Sequence, residues 1–436
     1  MGQRFGISRG FFSFCPVVVL VVSVLPGISS SAQAQTYSSG SVLYQYQTPP
    51  GTSLIGAIRG GIPSQAVGNA VLNSLPVAAV WDSQGNGTNL NPTQLGYNLS
   101  YAFASSGSQQ GGQVVTAQLN GISYATLWSG TAASAVILNP TGFSSSAING
   151  MSGNQQVGSG TPNGSPNNPV PLLWTGTAAS AVQLTPTIFG SNLVYSVANG
   201  TDGVNQVGYA NHSGPLRNDA MIWSGTAASA VDIGPANVNV SNALAVSGNQ
   251  QVGYDEPSTQ FHAMVWEGTS ASAVDLNPAG MLTSEALATN GEVQAGYASP
   301  NSQVTSRVAE AWLGTSASAI DLQSLLPTGP ATSWSYSTAD AVDANNNIYG
   351  FAWGTYNGVA GGYAVEWSDA QLPEPASLSL IAIGGLGLMS RRFSRNRKSG
   401  SSLDSLPPCI SVGLTCRTIT GQHGSNPSTP ISVTPN

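Results

Sequence analysis

The sequence predicts an all-β chain: a seven-bladed β-propeller of four-stranded repeats of about 47 residues, closed by an N-terminal strand. Three observations carry this expectation. A phrase beginning Trp128-Ser-Gly-Thr-Ala-Ala-Ser-Ala-Val136 recurs in near-identical form from Trp174, Trp223, Trp266 and Trp312. Two weaker copies flank these five, Ala-Ala-Val-Trp81 and Ala-Val-Glu-Trp367, so that seven tryptophans stand 43 to 55 residues apart. No segment of the body sustains a 3.6-residue apolar period, whereas short alternating runs abound.

One period reads as four short strands. Around Trp266, Asn242–Val246 alternates as a first strand, and Ser247-Gly-Asn249 supplies turn residues that tolerate positive φ. Gln250–Tyr254 forms the second strand, and a polar stretch containing Asp255-Glu256 reads as a long loop. His262-Ala-Met-Val-Trp266 is the third strand, rich in residues that pack on a pleated face. Glu267-Gly-Thr269 turns the chain, Ala273–Leu276 is the fourth strand, and Pro278 stops it. The second-strand phrase returns as Asn154-Gln-Gln-Val-Gly158, Asn205-Gln-Val-Gly-Tyr209, Val293-Gln-Ala-Gly-Tyr297 and Asn347-Ile-Tyr-Gly-Phe351. Rungs of a β-helix are shorter than this, and separate sandwiches need roughly 100 residues each. The tryptophans Trp81, Trp128, Trp174, Trp223, Trp266, Trp312 and Trp367 read as anchors between blades, ahead of the lesser reading as aromatic platforms for a ligand.

The seventh copy lacks a fourth strand, because Trp367 is followed by Ser-Asp-Ala-Gln and then by a different kind of sequence. Residues 41–47, Ser-Val-Leu-Tyr-Gln-Tyr-Gln, alternate ahead of the first copy. They are expected to pair beside the Trp367 strand and close the ring, which removes two open sheet edges.

Charged residues make up 7% of the 436-residue chain, while 41% is apolar, so a packed β structure is expected despite the low charge. Between residues 36 and 370 the basic residues are Arg59, Arg217 and Arg307, against sixteen acids. This acidic, lysine-free body excludes nucleic-acid binding, which needs clustered cations.

The two ends differ from the body. Residues 1–34 read as a secretory signal peptide: Arg4 and Arg9 precede the apolar run Pro16–Leu25, and Ala32-Gln-Ala34 offers a small-x-small cleavage site. The repeat domain is placed at 35–370, and residues 399–436, rich in Ser, Pro and Thr, read as a disordered tail. The three cysteines, Cys15, Cys409 and Cys416, lie outside the repeats, so the domain must rely on packing and closure rather than disulfides.

Chemistry is hard to find. His212 and His262 fall in different periods, and no metal site or cofactor is expected. Asp343, Asn345 and Asn347 have the oxygen spacing that opens a calcium loop but lack its later Gly and Glu, so a plain turn is the favoured reading. Asp232, Asp275 and Asp321 recur at one repeat position, which points to structure or exposure rather than to one active site. Neither a Gly-x-Ser-x-Gly elbow nor a phosphate loop is present.

Two resemblances add to this. Gly248-Asn-Gln-Gln-Val-Gly-Tyr254 followed by His262-Ala-Met-Val-Trp266 resembles the HAF repeat of bacterial extracellular proteins, over about residues 70–367. Other copies replace the histidine region with Leu172, Asp219-Ala220 or Ala309. The resemblance implies an exported β-rich repeat protein and no particular chemistry.

Residues 371–398 resemble a PEP-CTERM sorting signal: Pro373-Glu374-Pro375, an apolar segment over 376–390, then Arg391, Arg392, Arg395, Arg397 and Lys398. The apolar segment suits a short membrane helix, the basic cluster suits the cytoplasmic side, and proline keeps the first part extended. The resemblance implies passage through the secretion machinery and sorting by an exosortase-like enzyme, with a destination at the cell surface or in the extracellular matrix. The expected function is therefore a non-enzymatic scaffold or binder of exopolysaccharide or protein. The alternative is a glycan-acting enzyme whose carboxylates meet in the central channel, and a pair roughly 5–9 Å apart there would mark it.

Overall fold

The computed structural model describes residues 37–369, apart from positions 53, 63–64, 117–120 and 215. The signal peptide with Ala32 and Ala34, the Pro373-Glu374-Pro375 motif, the apolar segment, the basic cluster and the tail lie outside the described residues.

The described residues form seven four-stranded antiparallel sheets. We number them as blades: 1 (54–89), 2 (99–137), 3 (143–183), 4 (193–232), 5 (241–275), 6 (283–321) and 7 (333–369 with Tyr37–Gln45). Within blades 1 to 6 the four strands pair in chain order. First strands of successive blades touch one another around the ring, including blade 1 with blade 7, so they surround the central axis. Among the described residues no helix is long and apolar enough to cross a membrane.

Ring closure follows the expected route. The N-terminal strand Tyr37–Gln45 pairs antiparallel with Val359–Asp369, placing Gly40 opposite Trp367, Ser41 opposite Glu366 and Val42 opposite Val365. The strand starts four residues earlier than its alternation suggested and ends at Gln45; Tyr46 and Gln47 continue with single backbone bonds to Gly362 and Gly85.

Each tryptophan lies at or within two residues of the end of a third strand, is fully buried, and packs on the preceding blade. Trp128 meets Val67, Val80 and Leu90 of blade 1 and its following loop. Trp223 meets Val157, Leu173 and Leu184 from blade 3 and just beyond it. Trp81 meets Tyr46 and Ala364, so the same packing crosses the closure. Burying a Trp side chain removes 150–250 Å² from water, which makes these seven wedges the largest apolar units of the ring.

The phrase after Trp128, Trp174, Trp223, Trp266 and Trp312 is one folded turn. Gly130 adopts φ +79°, which a side chain disfavours. A single turn of 3₁₀ helix, Ala132–Ser134, then leads into a fourth strand of two residues, Val136–Ile137. In the Trp266 repeat the expected turn at Glu267-Gly-Thr269 runs on into such a 3₁₀ turn, Ser270–Ser272, and the fourth strand is Val274–Asp275 rather than Ala273–Leu276. Ser134 closes the turn: its Oγ accepts the Ser129 N–H at 2.8 Å and donates to the Thr131 carbonyl at 2.6 Å. The same two bonds recur at Ser180, Ser229, Ser272 and Ser318.

The second-strand glutamine locks that turn to the sheet. Gln110 Oε1 accepts the Gly130 N–H at 2.7 Å, and Gln156, Gln206, Gln251 and Gln294 repeat the contact. Gln110, Gln206 and Gln294 also donate from Nε2 to a glutamine of the previous blade, Gln65, Gln155 and Gln250.

Candidate functional site: the central channel

The channel wall is made by an irregularity in the first strands. In blades 2 to 7 the pairing with the second strand slips by one residue, at Ala102/Ala104, Ile148/Gly150, Ala198/Gly200, Ala243/Ala245, Ala286/Ala288 and Ala339/Ala341. Each slip is a β-bulge that leaves one extra residue unpaired and re-aims it. The six extra residues are Phe103, Asn149, Asn199, Leu244, Leu287 and Asp340, and all six line one cavity of about 290 Å³. The bulge also explains the glycine of the second-strand phrase. A Cβ at Gly158 would lie 1.9 Å from the Ala147 carbonyl oxygen, and one at Gly208 2.0 Å from that of Val197.

The ring of six has sides. Asn149 and Asn199 present amides, Leu244 and Leu287 aliphatic surface, Phe103 an aromatic ring and Asp340 a carboxylate. Ser105, Thr201 and Thr289 lie two residues on in blades 2, 4 and 6. The amide nitrogens point to neighbouring blades: Asn149 Nδ2 donates to the Ala198 carbonyl at 3.0 Å, and Asn199 Nδ2 to Asn242 Oδ1 at 2.7 Å and the Ala243 carbonyl at 3.0 Å.

Asp340 is the one carboxylate among the described lining residues. Burial raises its pKa to about 6, against the opposing effects of a Thr338 hydroxyl bond and the Arg307 charge. Arg307 lies with its guanidinium 4.0 Å from the centre of the Tyr297 ring, a cation–π contact. Its charge also acts on Glu285, whose pKa burial raises while a Tyr297 hydroxyl bond and Arg307 oppose the rise. Glu285 and Tyr297 thus share a hydrogen bond beside Arg307, whose charge reaches Asp340 on blade 7.

The residues singled out in the sequence are scattered elsewhere. His212 Nε2 pairs with Asp219 Oδ2 at 2.6 Å in blade 4, Arg217 binds the other Asp219 oxygen at 2.6 Å, and Phe189 stacks on the imidazole at 4.4 Å. His262 Nδ1 pairs with Asp275 Oδ2 at 2.8 Å in blade 5. Asp255 is not in a loop: it ends the strand Gln250–Asp255 opposite His262, and burial with the nearby Asp275 charge raises its pKa to about 6, against His262. Asp275 and Asp321 are exposed, and Asp232 is partly buried. Glu310, at the position held by Met221 and Met264 in blades 4 and 5, is buried, and this together with the Asp321 charge raises its pKa to about 8.

Asp343 forms a turn. Its Oδ1 accepts the N–H groups of Asn345 and Asn347 at 2.8 and 2.9 Å, and its Oδ2 accepts Asn347 Nδ2 and the Tyr349 hydroxyl, each at 3.0 Å. Among the described residues no group of three or more His, Cys, Asp or Glu side chains is placed to hold a metal ion.

Sequence reasoning missed the six channel residues. A signal for them exists: each stands between two small or aliphatic residues in a first strand, and all but Asp340 stand seven residues before a Gln-x-Gly phrase. Read without the bulge, the alternation assigns them to the wrong face.

No family model matches the chain, and no curated protein matches it. Solved structures do match. The β-propeller domain of the Trilobed protease from Pyrococcus furiosus is 9% identical, with a TM-score of 0.45, over 74% of this chain and 98% of that one. A structure from work on two prolyl endopeptidases is 10% identical, with a TM-score of 0.47, over 74% and 51%. A puromycin hydrolase S511A mutant complexed with PGG is 11% identical, with a TM-score of 0.45, over 72% and 53%. The chain spans about half the length of the last two, and their activities stay with those proteins.

Proposed function

We propose that the protein is an exported, non-enzymatic propeller that binds polysaccharide at the cell surface through its central channel. Residues 1–34 direct export, and the Pro373-Glu374-Pro375 region directs sorting by an exosortase-like enzyme. The reading rests on one observation: the channel wall combines amide and hydroxyl groups with aliphatic and aromatic surface around a single carboxylate. Sugars present hydroxyl edges and apolar faces, and a wall of this mixed kind meets both. A cavity near 290 Å³ is at the small end of those that hold ligands, which fits a chain end or a single sugar unit rather than a broad polymer face.

The test uses the full-length protein. It is passed over immobilised cell-surface polysaccharide from its native cells, and the protein recovered from those cells is examined by mass spectrometry. Retention, together with removal of the N-terminal segment, is the expected result. Protein that stays in the cytoplasm with residues 1–34 attached, or that no polysaccharide fraction retains, overturns the proposal.

A further inference from the structure

The channel's donors and acceptors are unequal. The Asn149 and Asn199 nitrogens donate to backbone carbonyls, which can only accept, so the amides cannot be turned over. Their Oδ1 atoms receive no donor among the described residues. The hydroxyls of Thr201 and Thr289 each spend their one proton between a neighbouring glutamine, Gln155 or Gln250, and a backbone carbonyl, that of Asn205 or Val293. Among the lining side chains, the two amide oxygens and the Asp340 carboxylate are thus acceptors, and the Ser105 hydroxyl can play either part.

Charge points the same way. Among the described side chains beside the channel, the charge of Arg307 acts on two carboxylates, Glu285 and Asp340. Tyr46, Tyr297 and Tyr336 are the other titratable groups of that neighbourhood, and Arg59 stands on the first strand of blade 1. The surrounding body carries three basic residues against sixteen acids, so its field draws cations inward.

Resting on the polysaccharide reading above, we infer that the channel selects a sugar bearing a free primary amine, its ammonium directed at Asp340 and its hydroxyls at Asn149 and Asn199. Leu244 and Leu287 take the apolar face of the sugar. A bare metal ion fits less well, because half of this wall offers it no oxygen. An ammonium carried on an organic body uses both halves.

The experiment is calorimetric titration of the full-length protein with three β-1,4 oligosaccharides of equal length, built from glucose, N-acetylglucosamine and glucosamine. A charge-assisted contact to Asp340 should make the glucosamine oligomer bind roughly tenfold or more tightly than the other two. Asp340→Asn should abolish that preference, bringing the glucosamine oligomer to the affinity of the neutral sugars. Ser105→Asp, which adds a carboxylate to the wall without touching the inter-blade bonds, should increase it, and decides the matter if the Asp340 variant does not fold. Equal affinity for all three sugars overturns the inference, as does a preference unchanged in either variant. A lysine-rich peptide that binds as tightly as the glucosamine oligomer overturns the sugar assignment. Retention on the native polysaccharide without any amine preference removes this inference alone; no retention removes the reading beneath it.

Discussion

The interface between blades 2 and 3 and the interface between blades 3 and 4 share one plan, and their polar relays differ at two residues. In the first, the Ala125 N–H donates to Ser146 Oγ at 3.0 Å, and that hydroxyl donates to Asn139 Oδ1 at 2.7 Å. Asn139 Nδ2 in turn holds the Phe143 carbonyl at 3.0 Å. The relay recurs from Ala78 to Ser100 and Asn91, from Ala263 to Ser284 and Asn277, and from Ala309 to Ser337 and Gln323. In the second interface Pro171 takes the place of Ala125 and Thr185 that of Asn139. Proline has no N–H to give, and the Ser196 hydroxyl, fully buried, is left without a partner among the described residues. Both interfaces nonetheless bury a tryptophan to the same extent. The apolar wedge sets the spacing of the blades, and the polar relay is an addition that the joint of blades 3 and 4 does without.

Several substitutions press on this difference. The largest effect belongs to the wedge: Trp174→Ala and Trp223→Ala should each cost about 3–5 kcal/mol of unfolding free energy, and the two should agree to within about 1 kcal/mol. A wide gap between them in denaturant titrations would mean that the relay, not the wedge, dominates. Next comes Glu310, which occupies a methionine position at the joint between blades 5 and 6. Its folded pKa of about 8 exceeds its ordinary 4.5, so stability is highest at low pH and falls as pH rises through that window. Glu310→Gln should flatten the fall, read as a Tm that no longer drops between pH 5 and 8.

A smaller effect is expected at the relay. Ser146→Ala leaves the Ala125 N–H and Asn139 Oδ1 unpaired and should cost about 1–3 kcal/mol. Ser196→Ala removes a hydroxyl that has no partner and should fall within about 0.5 kcal/mol of the parent, or on the stabilising side. Smallest of all, Pro171→Ala restores a donor for Ser196; the gain should be under about 1 kcal/mol, since proline's restriction of the unfolded chain is lost with it. If Ser196→Ala proves as costly as Ser146→Ala, the two joints are alike after all.

Much of this ring is legible in the sequence. The tryptophan period counts the blades, and the missing fourth strand after Trp367 points to the alternating segment that replaces it. Both are signals of apolar spacing, which folding depends on at every repeat. What stays hidden is polar and local. Gln110 and its equivalents read as polar strand residues, yet they are fully buried and hold the turn of their own blade. Their role shows only when the 3₁₀ turn brings the Gly130 N–H beside them. Phe103, Asn149, Asn199, Leu244, Leu287 and Asp340 share a place but no chemistry, so no common residue type marks them. A site built from unlike residues at a repeated bulge is the part of a repeat protein that periodicity conceals.

The seam of the ring has a consequence in time. Blades 1 to 6 each draw their four strands from a continuous piece of chain, so each can assemble as soon as that piece is free. Blade 7 cannot: Tyr37 lies opposite Asp369, and its hydroxyl donates to the Asn346 carbonyl at 2.8 Å, across 309 intervening steps of sequence. Contacts so remote are slow to form. In a chain that emerges from its N-terminus, the first strand made must wait for the last, and until then the edges of blade 1 and of the growing end stay open to other chains. The seam thus dates the protein's maturity: the molecule is finished when its two ends meet, and its hazardous interval is the time they spend apart.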